Sequence, residues 1–120
     1  MRVLILDDDE QRHAGFRRML IGVNQTHVYN YDEAVKALQG PRFDIAYLDH
    51  DLSDLAALGA PPAGERTGTD VARYIAGMPS DRRPTQVIVH SYNVSGAIRM
   101  AFILHDAGVP VQRRPYRGPK

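Results

Sequence analysis

Arg2-Val3-Leu4-Ile5-Leu6-Asp7-Asp8-Asp9-Glu10 is the stretch on which the reading of this chain turns. An apolar run without polar alternation suits a strand buried on both faces, as in a parallel sheet. Acids follow it at once, and the same junction recurs twice. Phe43-Asp44-Ile45-Ala46-Tyr47-Leu48 runs into Asp49-His50-Asp51, and Gln86-Val87-Ile88-Val89 runs into His90-Ser91-Tyr92-Asn93. In an open parallel α/β sheet the strand C-termini share one edge, and ligands bind in the crevice beyond it. The three junctions would gather carboxylates, two imidazoles, a hydroxyl and an amide there. So much negative charge in one place calls for a cation, and the expectation is a divalent metal with a phosphate group beside it.

Working outward, the remaining elements fall between these strands. A helix is expected from about 10 to 22, with Phe16, Met19, Leu20 and Val23 on one face. A strand at 26–30 and a helix at 31–39 follow, the latter started by Asn30 and Glu33 and stopped by Gly40-Pro41. The third strand is read as 43–48. A helix at about 69–78, capped by Thr67 or Thr69, presents Val71, Tyr74, Ile75 and Met78. After the strand at 86–90, Asn93 or Ser95 caps a helix running to about 107. Its expected inner face is Val94, Ile98, Ala101, Phe102 and His105, with Gly108 as the stop. A last strand is placed at 109–113. This alternation argues for a three-layer α/β domain with a parallel sheet, spanning residues 1–120 as a single unit.

Two stretches break the pattern. Residues 52–68 contain Pro61-Pro62 and several Gly and Ala without periodicity, longer than an ordinary βα loop, and their place beside the acids suggests a lid. The chain then ends in Arg114-Pro115-Tyr116-Arg117-Gly118-Pro119-Lys120, a basic tail at 114–120 with no room for a fifth helix. One sheet face would be under-covered, and a homodimer is one way to cover it.

Composition narrows the classes. With 43% hydrophobic and 24% charged residues and a net charge of +1, the chain has the balance of an ordinary soluble domain and no global signature of nucleic-acid or membrane binding. Thirteen Arg against two Lys fits either an Arg-rich genome or phosphate recognition. The absence of Cys excludes disulfides, thiolate metal sites and cysteine nucleophiles. The N-terminal apolar run is too short for a signal peptide, so a cytoplasmic protein with no membrane contact is expected.

At the three junctions each residue has a chemical reading and a plainer one. Asp7 and Asp8 are expected as metal ligands, whereas Glu10 suits a helix N-terminus and Asp9 fits either role. Asp49 and Asp51, two apart on an extended chain, would point the same way and share a cation; otherwise Asp51 merely caps the loop. His50 either ligates, orients a neighbour or is buried and hydrogen-bonded. His90 is the candidate general acid or base, unless it is a structural histidine at a strand end. Ser91 and Asn93 open a helix whose amides form a phosphate cradle, and Asn93 also suits an N-cap. His13, His27 and His105 are read as structural. The expected ion is Mg²⁺ or Mn²⁺, which take oxygen ligands.

These residues resemble a receiver domain, the flavodoxin-like module of two-component signalling. Met1 to Asp9 is similar to its first strand and acidic pair, and Phe43 to Asp49 to its third strand and phosphoacceptor. Ser91 falls where receivers place Ser or Thr, and Arg114-Pro115-Tyr116 where they place Lys-Pro-aromatic. The departures, Leu48-Asp49-His50-Asp51-Leu52 and His90-Ser91-Tyr92-Asn93-Val94-Ser95-Gly96, are similar instead to the cyclic-phosphate-processing receiver family. That resemblance implies a five-stranded parallel sheet in the order 2-1-3-4-5 without its fifth helix. It also implies action on a cyclic phosphate of a nucleotide or RNA end. Asp7, Asp8 and Asp49 would hold the metal with Asp51 assisting. His90, Asp49 and His50 would be catalytic, and Ser91, Asn93 and Arg114 would hold the phosphate. Two rival readings keep the same residues: a signalling receiver phosphorylated on Asp49, and a non-catalytic module that binds a phosphorylated ligand or another protein.

Overall fold

The computed structural model describes residues 1–52 and 66–118. Five strands, β1 (Arg2–Leu6), β2 (Asn24–Val28), β3 (Ile45–Leu48), β4 (Gln86–Val89) and β5 (Val111–Arg113), form one parallel sheet in the order β2-β1-β3-β4-β5. Four helices lie between them: α1 (Glu10–Met19), α2 (Tyr31–Leu38), α3 (Gly68–Ala76) and α4 (Val94–Asp106). The loop expected at 52–68 lies for the most part outside the described residues, as do the last two residues of the basic tail. Among the described residues no helix follows β5.

Register explains why the junctions meet. Leu6 pairs with Leu48, Leu48 with Val89 and Val89 with Arg113, so the strands end flush. The ladder then carries one residue further. Asp49 donates its N–H to Leu6 O at 3.0 Å, His90 to Leu48 O at 3.1 Å and Arg114 to Val89 O at 2.8 Å. Asp7, Asp49, His90 and Arg114 are therefore four neighbouring positions on one edge.

The helices start where polar side chains satisfy free backbone N–H groups. Asp9 caps α1 by accepting from the amides of Gln11 and Arg12, and Asn30 caps α2 through Glu33 N–H. Thr67 and Asp70 form a reciprocal capping box on α3, and Asn93 caps α4 through Gly96 N–H at 3.0 Å. Gly108, at φ +82°, stops α4: Val109 N–H reaches Leu104 O and Gly108 N–H reaches His105 O.

The sheet is covered unequally. On one face α2, α3 and α4 pack Ala34, Leu38, Val71, Ala72, Ile75, Ala97, Met100 and Leu104 against Leu4, Leu6, Ala46, Leu48, Val87 and Val89. On the other, α1 alone sets Phe16 on Val3 and Ile5, and Tyr116 of the tail is laid beside them. The face expected for α4 has to be corrected. Val94, Ile98 and Phe102 are exposed, at 65, 50 and 71%, and the inner residues are Gly96, Ala97, Met100 and Leu104. The helix carries two apolar rows, and the smaller, leaner one goes inward because Gly96 and Ala97 permit close approach to the sheet. Likewise α1 ends at Met19 rather than near 22, and Met19 is exposed rather than part of the inner face.

Candidate metal centre

Asp7, Asp8 and Asp49 bring carboxylate oxygens within 4.8 Å of one another at the C-terminal edge of the sheet. Asp7 and Asp49 are buried and Asp8 half-buried. Such a cluster repels itself, and the structure supplies one partial remedy that the sequence reading did not find. Arg12 reaches back from the first turn of α1, its Nε 2.7 Å from Asp7 Oδ2 and one terminal nitrogen 2.8 Å from Asp7 Oδ1. The same nitrogen lies 3.5 Å from both Asp8 and Asp49, and the other is 3.4 Å from Asp9. The signal was available: Arg12 stands three and four residues after Asp9 and Asp8, the spacing at which helical side chains meet.

One guanidinium does not balance three acids. Burial works to raise the pKa of Asp7, but hydrogen bonds from His90 and Arg12 outweigh it and hold Asp7 well below the usual carboxylate range. Burial pushes Asp49 up to about 7, with the charge of Asp7 adding to it. Burial and Asp7 also push Asp8 up to about 6. Burial first, and the neighbouring Asp7 charge second, thus disfavour ionisation of two of the three carboxylates. Oxygen-only donors suit a hard cation such as Mg²⁺ or Mn²⁺. Asp8 and Asp49, held by Arg12 only at 3.5 Å, are the two with lone pairs to spare.

The other candidates are placed differently from one another. His90 is buried directly behind Asp7, its Nε2 2.8 Å from Asp7 Oδ2 and its ring edge-on to Phe16. Burial lowers its pKa against the opposing pull of the Asp7 carboxylate, which accepts from Nε2. His90, expected as the general acid or base, is thus only 2% exposed, with Nε2 engaged by Asp7. Asp51 does not join the cluster. Its Oδ1 accepts from His50 Nδ1 at 2.8 Å and from Asn93 Nδ2 at 3.2 Å. The backbone bends after Asp49, whose own Oδ1 accepts His50 N–H at 2.9 Å, so the alternation of an extended chain ends there. The ring of His50 lies on Gly96, where a Cβ would come within 2.5 Å of His50 Cγ.

Ser91 is buried and its Oγ accepts Asn93 N–H at 3.0 Å, which fixes the turn into α4. Arg114 lies away from the acids. Its backbone continues the sheet, but its exposed guanidinium donates to Gln112 Oε1, and among the described residues it pairs with no carboxylate of the cluster. His13 is fully buried, its Nε2 donating to the backbone carbonyl of Asp7 at 2.8 Å, and its Nδ1 meets His27 Nδ1 at 2.6 Å.

Comparison with known proteins agrees with this architecture. The profile of the cyclic-phosphate processing receiver domain matches residues 2–106. The fold superposes on a CheY-like receiver domain from Methanospirillum hungatei with a TM-score of 0.68 at 19% identity, covering 97% of this chain and 82% of that one. The response regulator TrrA from Thermotoga maritima, solved with Mg²⁺ and BeF, gives 0.68 at 17% identity, covering 98% and 86%. A Burkholderia pseudomallei response regulator carrying a phosphorylated aspartic acid gives 0.66 at 19% identity, covering 97% of this chain and 61% of that one. No curated protein matches the sequence.

Proposed function

Because the chain belongs to the cyclic-phosphate processing receiver domain family, we propose that it hydrolyses a phosphoester, a cyclic phosphate on a nucleotide or RNA end, at a divalent cation held by Asp7, Asp8 and Asp49. The observation that carries this reading is the cluster itself, in which carboxylate oxygens of Asp7, Asp8 and Asp49 lie within 4.8 Å of one another around the single guanidinium of Arg12. When bound, Mg²⁺ or Mn²⁺ would polarise the phosphoryl oxygens. Asp8 and Asp49 would be its freer ligands, and His90 and Arg12 would keep Asp7 ionised and aimed.

Proton transfer falls to His50. Asp51 engages its Nδ1, an arrangement that fixes tautomer and orientation and leaves Nε2 for the ester oxygen. Asn93 steadies this pair while capping α4, whose N-terminal amides and Ser91 meet the phosphate. The substrate is a phosphorylated small molecule or RNA end, and the expected compartment is the cytoplasm; among the described residues no helix is long and apolar enough to cross a membrane. A homodimer would cover the thinly covered face of the sheet, which size-exclusion chromatography tests.

The reading is tested by following a 2′,3′-cyclic nucleotide by ³¹P NMR with protein and Mg²⁺. Ring opening to a monoester in the wild type, lost in Asp49→Asn and in His50→Gln, is the expected result. An unchanged cyclic signal would sink it. The second reading, a receiver phosphorylated on Asp49, is favoured by the fold match to a regulator with a phosphorylated aspartic acid. Mass addition confined to Asp49 after treatment with acetyl phosphate would establish it. The third, a binding module without turnover, predicts nucleotide binding that leaves the ring intact.

A further inference from the structure

Arg12 holds a place that its pairing with Asp7 does not by itself require. Nε and Nη2 grip the two oxygens of Asp7 at 2.7 and 2.8 Å, a fork that satisfies one carboxylate completely. Yet Nη2 also lies 3.5 Å from Asp8 Oδ1 and 3.5 Å from Asp49 Oδ2. One nitrogen thus stands among oxygens of all three acids, and these are the acids close enough together to share an ion. The contacts are of two kinds. Those on Asp7 are charge-assisted hydrogen bonds of ordinary length, whereas those on Asp8 and Asp49 are at the limit of bonding.

A divalent cation drawn to these oxygens meets Nη2 in the same space, charge against charge. Nε can stay, because Asp7 Oδ2 holds it while also accepting from His90 Nε2. Nη2 can yield, because the side chain of Arg12 is 25% exposed and its other terminal nitrogen meets only the half-buried Asp9, at 3.4 Å, among the described residues. A guanidinium end turned out of the cluster keeps its charge and its planar fork, which fits phosphate oxygens two at a time. Arg114, expected to hold the phosphate, donates instead to Gln112.

We propose that Arg12 is the anion-binding residue of this centre and the exchangeable occupant of its cation position. The divalent cation takes the place of Nη2, and the released end of the guanidinium binds the phosphate that comes with the cation. The inference rests on the metal reading of the three carboxylates and adds that cation and phosphate bind cooperatively. A cation arriving alone displaces Nη2 without compensation; one arriving with phosphate gives the displaced charge a partner. By linkage, each then strengthens the other by the same factor.

The test measures Mn²⁺ binding by electron paramagnetic resonance of the free ion, with and without methyl phosphate. Methyl phosphate should tighten Mn²⁺ on the wild type about tenfold. Arg12→Ala should bind Mn²⁺ alone about tenfold more tightly than the wild type does, and methyl phosphate should change that by less than about twofold. Because Arg12→Ala loses stability, Arg12→Lys is measured beside it; a point charge without the fork should keep an enhancement of about threefold or less. In the wild type itself, the ¹⁵N signals of Arg12 Nη1 and Nη2 should move on adding Mg²⁺ and again on adding methyl phosphate. Equal Mn²⁺ affinity of wild type and Arg12→Ala, an enhancement that survives in Arg12→Ala, or Nη signals unmoved by Mg²⁺ would overturn the inference and leave the metal reading in place. No Mn²⁺ binding to either protein would overturn both. Coupled binding without hydrolysis would support the assignment of Arg12 and remove only the catalytic reading.

Discussion

Among the described residues, one face of the sheet is sealed by three helices over a continuous aliphatic core; the other carries one helix, an irregular tail and a cavity lined by aromatic residues. The buried polar groups divide the same way. Arg12, His13 and His90 all approach Asp7 from the thinly covered side, by way of α1 and the end of β4. The thick face contains the apolar burial that stabilises the fold, at roughly 25 cal/mol per Å². On the thin face the polar groups are held by specific hydrogen bonds. Among the described residues no helix follows β5, and Tyr116 packs beside Phe16 on this face while Asp7 and His90 stay buried.

The sharpest way to break this contrast is to remove the internal cation. Arg12→Ala leaves Asp7 ionised, buried and poorly paired, and should destabilise the protein by about 3–5 kcal/mol in urea without divalent ions. Mg²⁺ should recover part of that loss, and should bind the variant more tightly than the wild type. On the thick face, Ile75→Ala should cost about 2–5 kcal/mol through transfer and cavity terms. Metal should restore none of it, which separates the two faces by a single addition.

A third prediction concerns pH. Asp49 and Asp8 have folded pKa values raised above those of the unfolded chain, so the native state holds more protons between about pH 4 and 7. Stability without metal should therefore fall as pH rises through that window. Asp49→Asn should flatten the slope and raise stability at pH 8 by about 1–3 kcal/mol, read from urea midpoints at pH 5 and 8. The wild-type slope staying flat would mean that the cluster is already neutralised. Smallest of all, Tyr116→Ala should cost only about 1–2 kcal/mol, because it removes part of a roof rather than a piece of core.

Gly68 adds a check on the junction itself. A Cβ there would run into the carbonyl oxygen of Asp49, and Gly68 N–H donates to His50 O at 2.8 Å. Gly68→Ala should displace the Asp49 turn and weaken Mg²⁺ binding more than it weakens the fold, measured by titration against thermal melting.

Much of this was legible before any coordinates. Apolar runs ending in acids placed β1 and β3, one ending in His90-Ser91 placed β4, and together they gave the edge on which Asp7, Asp8 and Asp49 meet, because a parallel sheet leaves few other arrangements. Caps at Asn30, Thr67 and Asn93 were readable from local chemistry. The inner face of α4 was not, since Val94, Ile98 and Phe102 form as good a row as Ala97, Met100 and Leu104, and only contact with the sheet chooses between them. Arg12 went unnoticed because long side chains are usually solvated, and nothing local requires one to fold back.

Sequence alone therefore determined what depends on neighbours along the chain: element type, strand order through the resemblance, and the gathering of acids at one edge. Tertiary structure decided what depends on direction in space. It buried His90 against Asp7, joined Asp51 to His50 and Asn93, paired Arg114 with Gln112, and laid Tyr116 beside Phe16. Strand ends specify which residues arrive at an edge, whereas the bend of each chain after its strand specifies where their side chains point, and that bend is set by packing between distant elements.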